Sequence, residues 1–249
     1  MKLKHVLLEC PYDTWNNKVL QKYFIEAISL KLSGYLKEYR YGVLPFDTSD
    51  FVAVHHLICR DDRFTLTPLM SLKTITLARC NIHDLTFPLL GALRTIPSVA
   101  ESHLKVVQDI VNSFDKKPHA LAYGGGLTIL PEARQDRALV SELWDHLIAA
   151  WLNYDIEAGV TESVGFSAVR FKMTRSFGRL GYQNIDFDGK ALPPVSMPTL
   201  MNGHEAHVIH RKEISQEGWE LAERFKAWYK TGLQIKAKDL SLQDIKEVA

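Results

Sequence analysis

The chain has 249 residues, of which 46% are hydrophobic, 24% charged and 10% aromatic; 30 lysines and arginines against 29 aspartates and glutamates leave a formal net charge of +1. So even a balance supplies no global field that would draw the protein onto nucleic acid or an anionic membrane surface. No stretch approaches the ~18 consecutive apolar residues of a membrane span. Cys10, Cys59 and Cys80 are odd in number, far apart and in no metal-ligand spacing. That fits a reducing compartment better than a disulfide framework and leaves no metal centre expected. The opening MKLKHVLLECPYD has too short an apolar run for a signal segment, so the expected address is the cytoplasm.

In chain order, Leu20, Phe24, Ile28, Leu32 and Leu36 recur every four residues, which predicts a long amphipathic helix over Asn16–Tyr39, capped by Asn16 or Asn17, with Gly42 just past its end. Asp47 and Asp50 follow it. Phe51–Cys59, rich in β-branched residues and closed by Arg60–Arg63, reads as a strand, and Leu72–Ala78 as its antiparallel neighbour. After Phe87-Pro88 the chain turns helical. Ser98 with Glu101 three residues on forms a capping-box pattern for a helix to Phe114. Ala120–Leu130 reads as a strand interrupted by Gly124-Gly125-Gly126, which predicts a bulge, since glycine inside a strand marks close backbone approach. Ala138–Tyr154 carries Leu139, Leu143, Leu147 and Trp151 on one stripe and is the clearest helix. A short strand over Thr161–Ala168, a helix to Gly181, strand-like Asn184–Leu192, a loop holding Pro193, Pro194, Pro198 and Gly203, a strand over Ala206–Ile209 and a last helix over Gln216–Lys230 complete the pattern. Alternating strands and helices mean α/β layering. A single domain is expected over 1–249: a mixed central sheet flanked by helices, with an N-terminal helical extension and a C-terminal helix and tail.

The most informative stretch is Leu127–Leu143. There an apolar strand runs through Pro131-Glu-Ala-Arg134 directly into the long helix. Such a junction aims unpaired backbone N–H groups and the positive end of the helix dipole at one spot, a ready site for a pyrophosphate. Leu130, Arg134, Gln135, Asp136, Arg137 and Ala138 would surround it, with Arg134 and Arg137 adding charge. His55 and His56 point to opposite faces of their strand. His204, His207 and His210, three apart on a strand, do not converge on one metal.

This strand–loop–helix resembles that of the GNAT superfamily of acyltransferases, and Val169–Tyr182, ending Leu180-Gly181-Tyr182, resembles the same superfamily's fourth helix. The likeness is closest over about 120–192. It implies a GNAT-like fold and an acyl group carried on a pantetheine thioester, with no permanently bound cofactor. In its terms the Gly124–Gly126 bulge, Gly125 included, splays the central strands to admit the pantetheine arm. Arg137 and Leu139 stand at the superfamily's loop-glycine positions, Phe177 at its thiolate-protonating tyrosine and Arg170 at an asparagine. Asp47-Thr-Ser-Asp50 before paired strands is similar to the acyl-homoserine-lactone synthase and N-acyl amino acid synthase branch, with Lys73 at that branch's strand arginine. The branch's Glu-x-x-Arg is replaced by Gly124 and Leu127, which speaks against lactone formation.

The resemblance therefore implies an N-acyltransferase drawing on acyl-CoA or acyl-carrier protein and acting on a small, amino-acid-like amine. Asp47 and Asp50 would hold or deprotonate the amine, Lys73 would hold an anionic group of the acceptor, and Glu162 is a further candidate base. A conventional acetyl-CoA-dependent acetyltransferase and a catalytically silent thioester-binding module are the alternatives.

Overall fold

The computed structural model describes residues 1–236 except 36–37, 41–43, 64, 98, 198 and 201–203. Leu36, Gly42, Ser98, Pro198, Gly203 and the tail from 237 on, all part of the sequence reading, lie outside the described residues.

The chain enters through a strand, β1 (Leu3–Glu9), ahead of the first helix. Val6, Leu7 and Leu8 are all buried, so the segment shows no polar alternation to mark it as a strand. Helix α1 (Lys18–Tyr35) follows. Its cap is Asn17, whose Oδ1 accepts from the amides of Val19 (2.9 Å) and Leu20 (3.2 Å), satisfying two orphan donors. This helix is not an extension standing off the domain. Leu20, Tyr23, Phe24 and Ala27 pack on Val6, Leu8, Leu57 and Cys59 of the sheet.

Helix α2 (Ser49–Val52) takes the first residues of the run expected as a strand, and β2 (Val54–Asp61) takes the rest. Strand β3 (Leu66–Thr76) pairs antiparallel with β2 and stops where Thr76 caps α3 (Leu77–Ile82) by accepting from the Arg79 amide. Then come α4 (Pro88–Arg94) and α5 (Glu101–Ser113); the N-cap of α5 is Ala100, so Glu101 begins the helix instead of closing a capping box. Strand β4 (Leu121–Ile129), α6 (Arg137–Ala158) and β5 (Glu162–Ala168) follow the expected order. Beyond β5 the expected helix is broken. A 3-10 turn over Val169–Phe171 meets Lys172 at φ 52°, and α7 (Met173–Gly178) starts afresh. The segment expected as one strand to Leu192 is β6 (Tyr182–Asn184) and a small hairpin, β7 (Asp186–Phe187) and β8 (Lys190–Ala191). Strand β9 (Val195–Ser196), β10 (Glu205–Arg211), α8 (Gln216–Lys230) and β11 (Leu233–Ile235) end the described chain.

Among the described residues nine strands share one mixed sheet in the order β11-β1-β2-β3-β4-β5-β10-β6, with β9 on β10. The pairs β1–β11 and β4–β5 are parallel. On one face Leu143, Leu147 and Trp151 of α6 and Tyr229 of α8 bury against Leu7, Ile58 and Leu72. On the other, α1 covers β1 and β2 while α4 and α5 cover Ile75, Leu121 and Val164. Each such large apolar side chain contributes about 1.5–3 kcal/mol on burial. Among the described residues no helix is long and apolar enough to cross a membrane.

Candidate active site

The parallel pairing of β4 with β5 runs from Leu121↔Glu162 to Gly124↔Gly165 and goes no further. Beyond it β4 follows β3, up to Met70↔Ile129, and β5 follows β10, up to Ala206↔Ala168. The two central strands thus part into a V. The cause is local. Between the pairs Lys73↔Gly125 and Ser71↔Thr128, β4 has one residue more than β3, a bulge, and Gly126 within it has φ 64°, a region closed to most side chains. Gly165 lies so close to the Gly124 carbonyl that a Cβ there would stand 2.7 Å from its oxygen. Only glycine lets the strands touch at the point of divergence.

Beside the bulge lies a buried charge network. Asp50, 0% exposed, accepts from Lys31 Nζ at Oδ1 (2.5 Å), while its Oδ2 accepts from the Asp47 amide (2.9 Å) and faces Lys73 Nζ (3.1 Å). Lys73 also donates to Ser49 Oγ (2.7 Å) and Asp47 Oδ1 (3.3 Å), so three oxygens surround its ammonium. His55 donates its Nε2–H to the Asp50 carbonyl (2.6 Å). Burial and the two lysines depress His55 to about 4, outweighing the pull of Asp50, so the ring is neutral. Burial alone would raise the Asp50 carboxyl, but the Lys73 and Lys31 ammoniums hold it at about 2. Lys31 is itself lowered, by burial first and then by Lys73. The buried Lys31, Lys73 and Asp50 carry one excess positive charge, and the exposed Asp47 carboxylate bonded to Lys73 brings the group to zero.

The structure therefore brings Asp47, Asp50 and Lys73 together and adds Lys31 and Ser49, which the sequence reading missed. Asp47 alone of the charged groups faces solvent, with its side chain 67% exposed. Lys31 has Asp50 as its partner among the described residues and rests against Gly126, where a Cβ would stand 3.4 Å from Nζ. Gly125 pairs with Lys73, and the Tyr123 side chain lies over it. The Tyr35 hydroxyl donates to the Leu127 carbonyl, fixing the end of α1 to β4. From there Glu38 reaches the far arm of the V, its carboxylate held by both terminal nitrogens of Arg170 (2.8 and 3.0 Å).

The loop before α6 is differently arranged from the sequence expectation. Asp136 turns its carboxylate onto α6 and accepts from the amides of Ala138 and Leu139, each at 3.0 Å. It caps the helix and occupies the donors that a pyrophosphate would use. Arg134 donates to the backbone carbonyls of Ile129 (3.2 Å) and Gly34 (3.1 Å), which ties the loop to α1. Gln135 ends the 3-10 turn, Leu130 donates its amide to the Leu69 carbonyl (2.8 Å), and Arg137 is exposed at the first turn of α6.

Other expected residues fall elsewhere. Glu162 pairs with His210 (2.6 Å) at the closed end of the β4–β5 pair. It lies three positions from Gly165, about 10 Å along the strand, so it does not join the cluster. Phe177 is buried against Trp144, Trp151 and Tyr182 in the core, not at the mouth of the V. His204 sits on Arg170 and His210 on Glu162, so these two serve different partners.

No protein-family model matches the chain, and no curated protein matches it in sequence. Solved structures do. BjaI, a CoA-dependent acyl-homoserine lactone synthase solved with MTA and with SAM and isopentyl-CoA, superposes with a TM-score of 0.51 at 12% identity, covering 99% of this chain and 98% of its own. An acyl-CoA N-acyltransferase from Pseudomonas aeruginosa gives 0.50 at 12% identity, over 84% of this chain and 99% of its own. The fold is that of the GNAT-like acyltransferases. At such identity the likeness extends to the fold alone; the chemistry of this chain has to be argued from its own residues.

Proposed function

We propose that the chain is an N-acyltransferase that moves an acyl group from a pantetheine thioester to an amine. The carrying observation is the V between β4 and β5 opening directly beside the Lys31–Asp50–Lys73 network. A V of this kind admits an extended arm between two strands and brings its thioester to the bulge. The amine enters on the side of Asp47, the exposed carboxylate of the group. Its nitrogen attacks the thioester carbonyl, a C–N bond forms as the C–S bond breaks, and the proton lost by the amine ends on the departing sulfur by way of Asp47 and solvent. Asp50, at about 2, is too weak a base for that proton and instead fixes the two lysines. Lys31, whose partner among the described residues is Asp50 alone, lies against the bulge and faces the position where the carbonyl oxygen gains charge. Lys73, bonded to Ser49 and Asp47 and paired with Asp50, holds the Asp47–Ser49 turn instead of an acceptor carboxylate.

BjaI was solved with SAM and isopentyl-CoA together and the Pseudomonas protein is an acyl-CoA N-acyltransferase, which makes acyl-CoA the first donor class to try. The Asp136 cap favours a donor whose arm carries a single phosphodiester, as on a carrier protein, over the diphosphate of CoA. Release of free thiol from acyl-CoA and from acyl-carrier protein, measured with and without a panel of amines, tests the whole reading. Binding of thioesters without transfer to any amine would overturn it in favour of a silent module. Asp136→Ala tests the donor. It frees two amides and removes a negative charge, so the KM for acyl-CoA should fall about 10-fold, worth ~1.4 kcal/mol, while the KM for acyl-carrier protein stays put. An unchanged KM for acyl-CoA would mean that no phosphate approaches α6.

A further inference from the structure

At the other end of α2 the chain assembles a second cluster that acyl transfer does not use. Cys10 Sγ lies 3.7 Å from His83 Nε2, and the same nitrogen lies 3.9 Å from Asp13 Oδ2. One donor atom from each of the three residues falls within 4.8 Å of the others. Tetrahedral coordination by sulfur at ~2.3 Å and by nitrogen and oxygen at ~2.1 Å places S and N about 3.6 Å apart and N and O about 3.4 Å apart. The observed separations are within half an ångström of these, so a cation could be enclosed with little rearrangement.

The frame around the cluster is rigid. Cys10 has φ 43°, an uncommon region for a side chain, and its carbonyl accepts from the Asp13 amide (3.0 Å), the Thr14 amide (3.2 Å) and Thr14 Oγ1 (2.9 Å). This turn holds the thiol and the carboxylate on one side. His83 closes the C-terminus of α3, its amide donating to the Arg79 carbonyl. The Asp13 and His83 side chains are 12% and 14% exposed, with Tyr12 edge-on over the imidazole, so the cluster is shielded but reachable. Arg79 bonds Glu9 (2.8 Å) and Asp13 Oδ2 (3.3 Å), the same oxygen that faces His83, which fixes where that oxygen sits while leaving its other lone pair for an ion. Charge also balances. A thiolate, Asp13 and Glu9 against Arg79 and one divalent ion sum to zero.

We propose that Cys10, Asp13 and His83 bind a single borderline-soft divalent cation of the zinc class, with a fourth position left to water. One thiolate, one imidazole and one carboxylate select zinc or cobalt over magnesium or calcium, which prefer oxygen. Since Cys10 donates its amide to the Ala53 carbonyl (3.0 Å) and Tyr12 its amide to the Phe51 carbonyl (2.8 Å), the ion would brace the α2 segment that carries Asp50.

The test is a titration of the metal-stripped full chain with cobalt(II). One equivalent should produce a thiolate-to-cobalt charge-transfer band and tetrahedral d–d bands, and zinc should abolish both. Cys10→Ser should lose the charge-transfer band while Cys59→Ser and Cys80→Ser keep it. His83→Gln, which spares the thiol and the turn, should weaken binding by more than about 10-fold. Absence of the band at one equivalent, or its persistence in Cys10→Ser, would overturn the assignment and leave Arg79 as the cluster's only cation. These readings need no turnover, so they stand or fall apart from acyl transfer.

Discussion

Asp50→Asn should lower stability by about 3–5 kcal/mol and, by releasing the lysines it positions, cut acyl transfer by ~10²-fold, although the side chain is replaced by one of the same shape. The amide offers one acceptor where the carboxylate offered two, and it turns an N–H₂ group toward an ammonium. Lys31 at 5% side-chain exposure and Lys73 at 7% would then be like charges without a buried counterion. Adding Lys31→Met removes one of them and should restore much of the stability but none of the turnover. Chemical denaturation of the three proteins, read beside thiol release, separates the two effects. An Asp50→Asn protein as stable as its parent would mean that water reaches the lysines and that the network is not the anchor described above.

The same network fixes the acid limb of the stability profile. Asp50 titrates at about 2 in the folded chain against an ordinary 3.8. A depressed carboxyl stabilises the fold at every pH above its unfolded value, and the contribution fades as pH falls from about 4 through 2. The parent should therefore lose about 2 kcal/mol over that window, a loss absent from Asp50→Asn.

Long, regularly striped elements were legible from the sequence: α8 runs over Gln216–Lys230 as expected, and α6 encloses the expected Ala138–Tyr154. Strand β1 escaped because a central strand covered on both faces carries no alternation, and β11 because three residues hold no pattern. Asp47, Asp50 and Lys73 came from the resemblance to the lactone-synthase branch; by themselves two aspartates after a helix read equally well as a turn. Lys31 had a signal of its own: it interrupts the buried stripe of Phe24, Ala27 and Gly34, where a lysine has to find a counter-charge. Asp136 was visible too, but two principles competed there. An aspartate just before a helix can await a phosphate or cap the helix itself, and its short side chain returned to its own backbone. Cys10 and His83 are 73 positions apart, so no spacing rule could join them.

The second large effect lies across the sheet, where Arg211 of β10 meets Asp155 of α6. Both side chains are 0% exposed, joined by one hydrogen bond of 2.8 Å, and the guanidinium lies 5.9 Å from the Trp151 ring and 5.5 Å from that of Tyr182. Burial pushes the Asp155 carboxyl up to about 6 against the pull of Arg211. The sign is opposite to that of Asp50. A carboxyl raised above its unfolded value contributes stability that is complete below about 4 and lost as pH rises through 6. Arg211→Met removes the one charge that makes an ionised Asp155 tolerable, so it should cost about 3–5 kcal/mol near neutral pH, roughly 10 °C in Tm, and less in acid where Asp155 is protonated. Arg211→Met with Asp155→Leu replaces the pair by apolar groups of similar size and should regain most of that loss. Thermal unfolding of the two variants and the parent at neutral pH and near pH 5 measures both terms. If Arg211→Met melts with the parent at both values, the pair is not isolated from water and α6 is held to β10 by its apolar contacts alone.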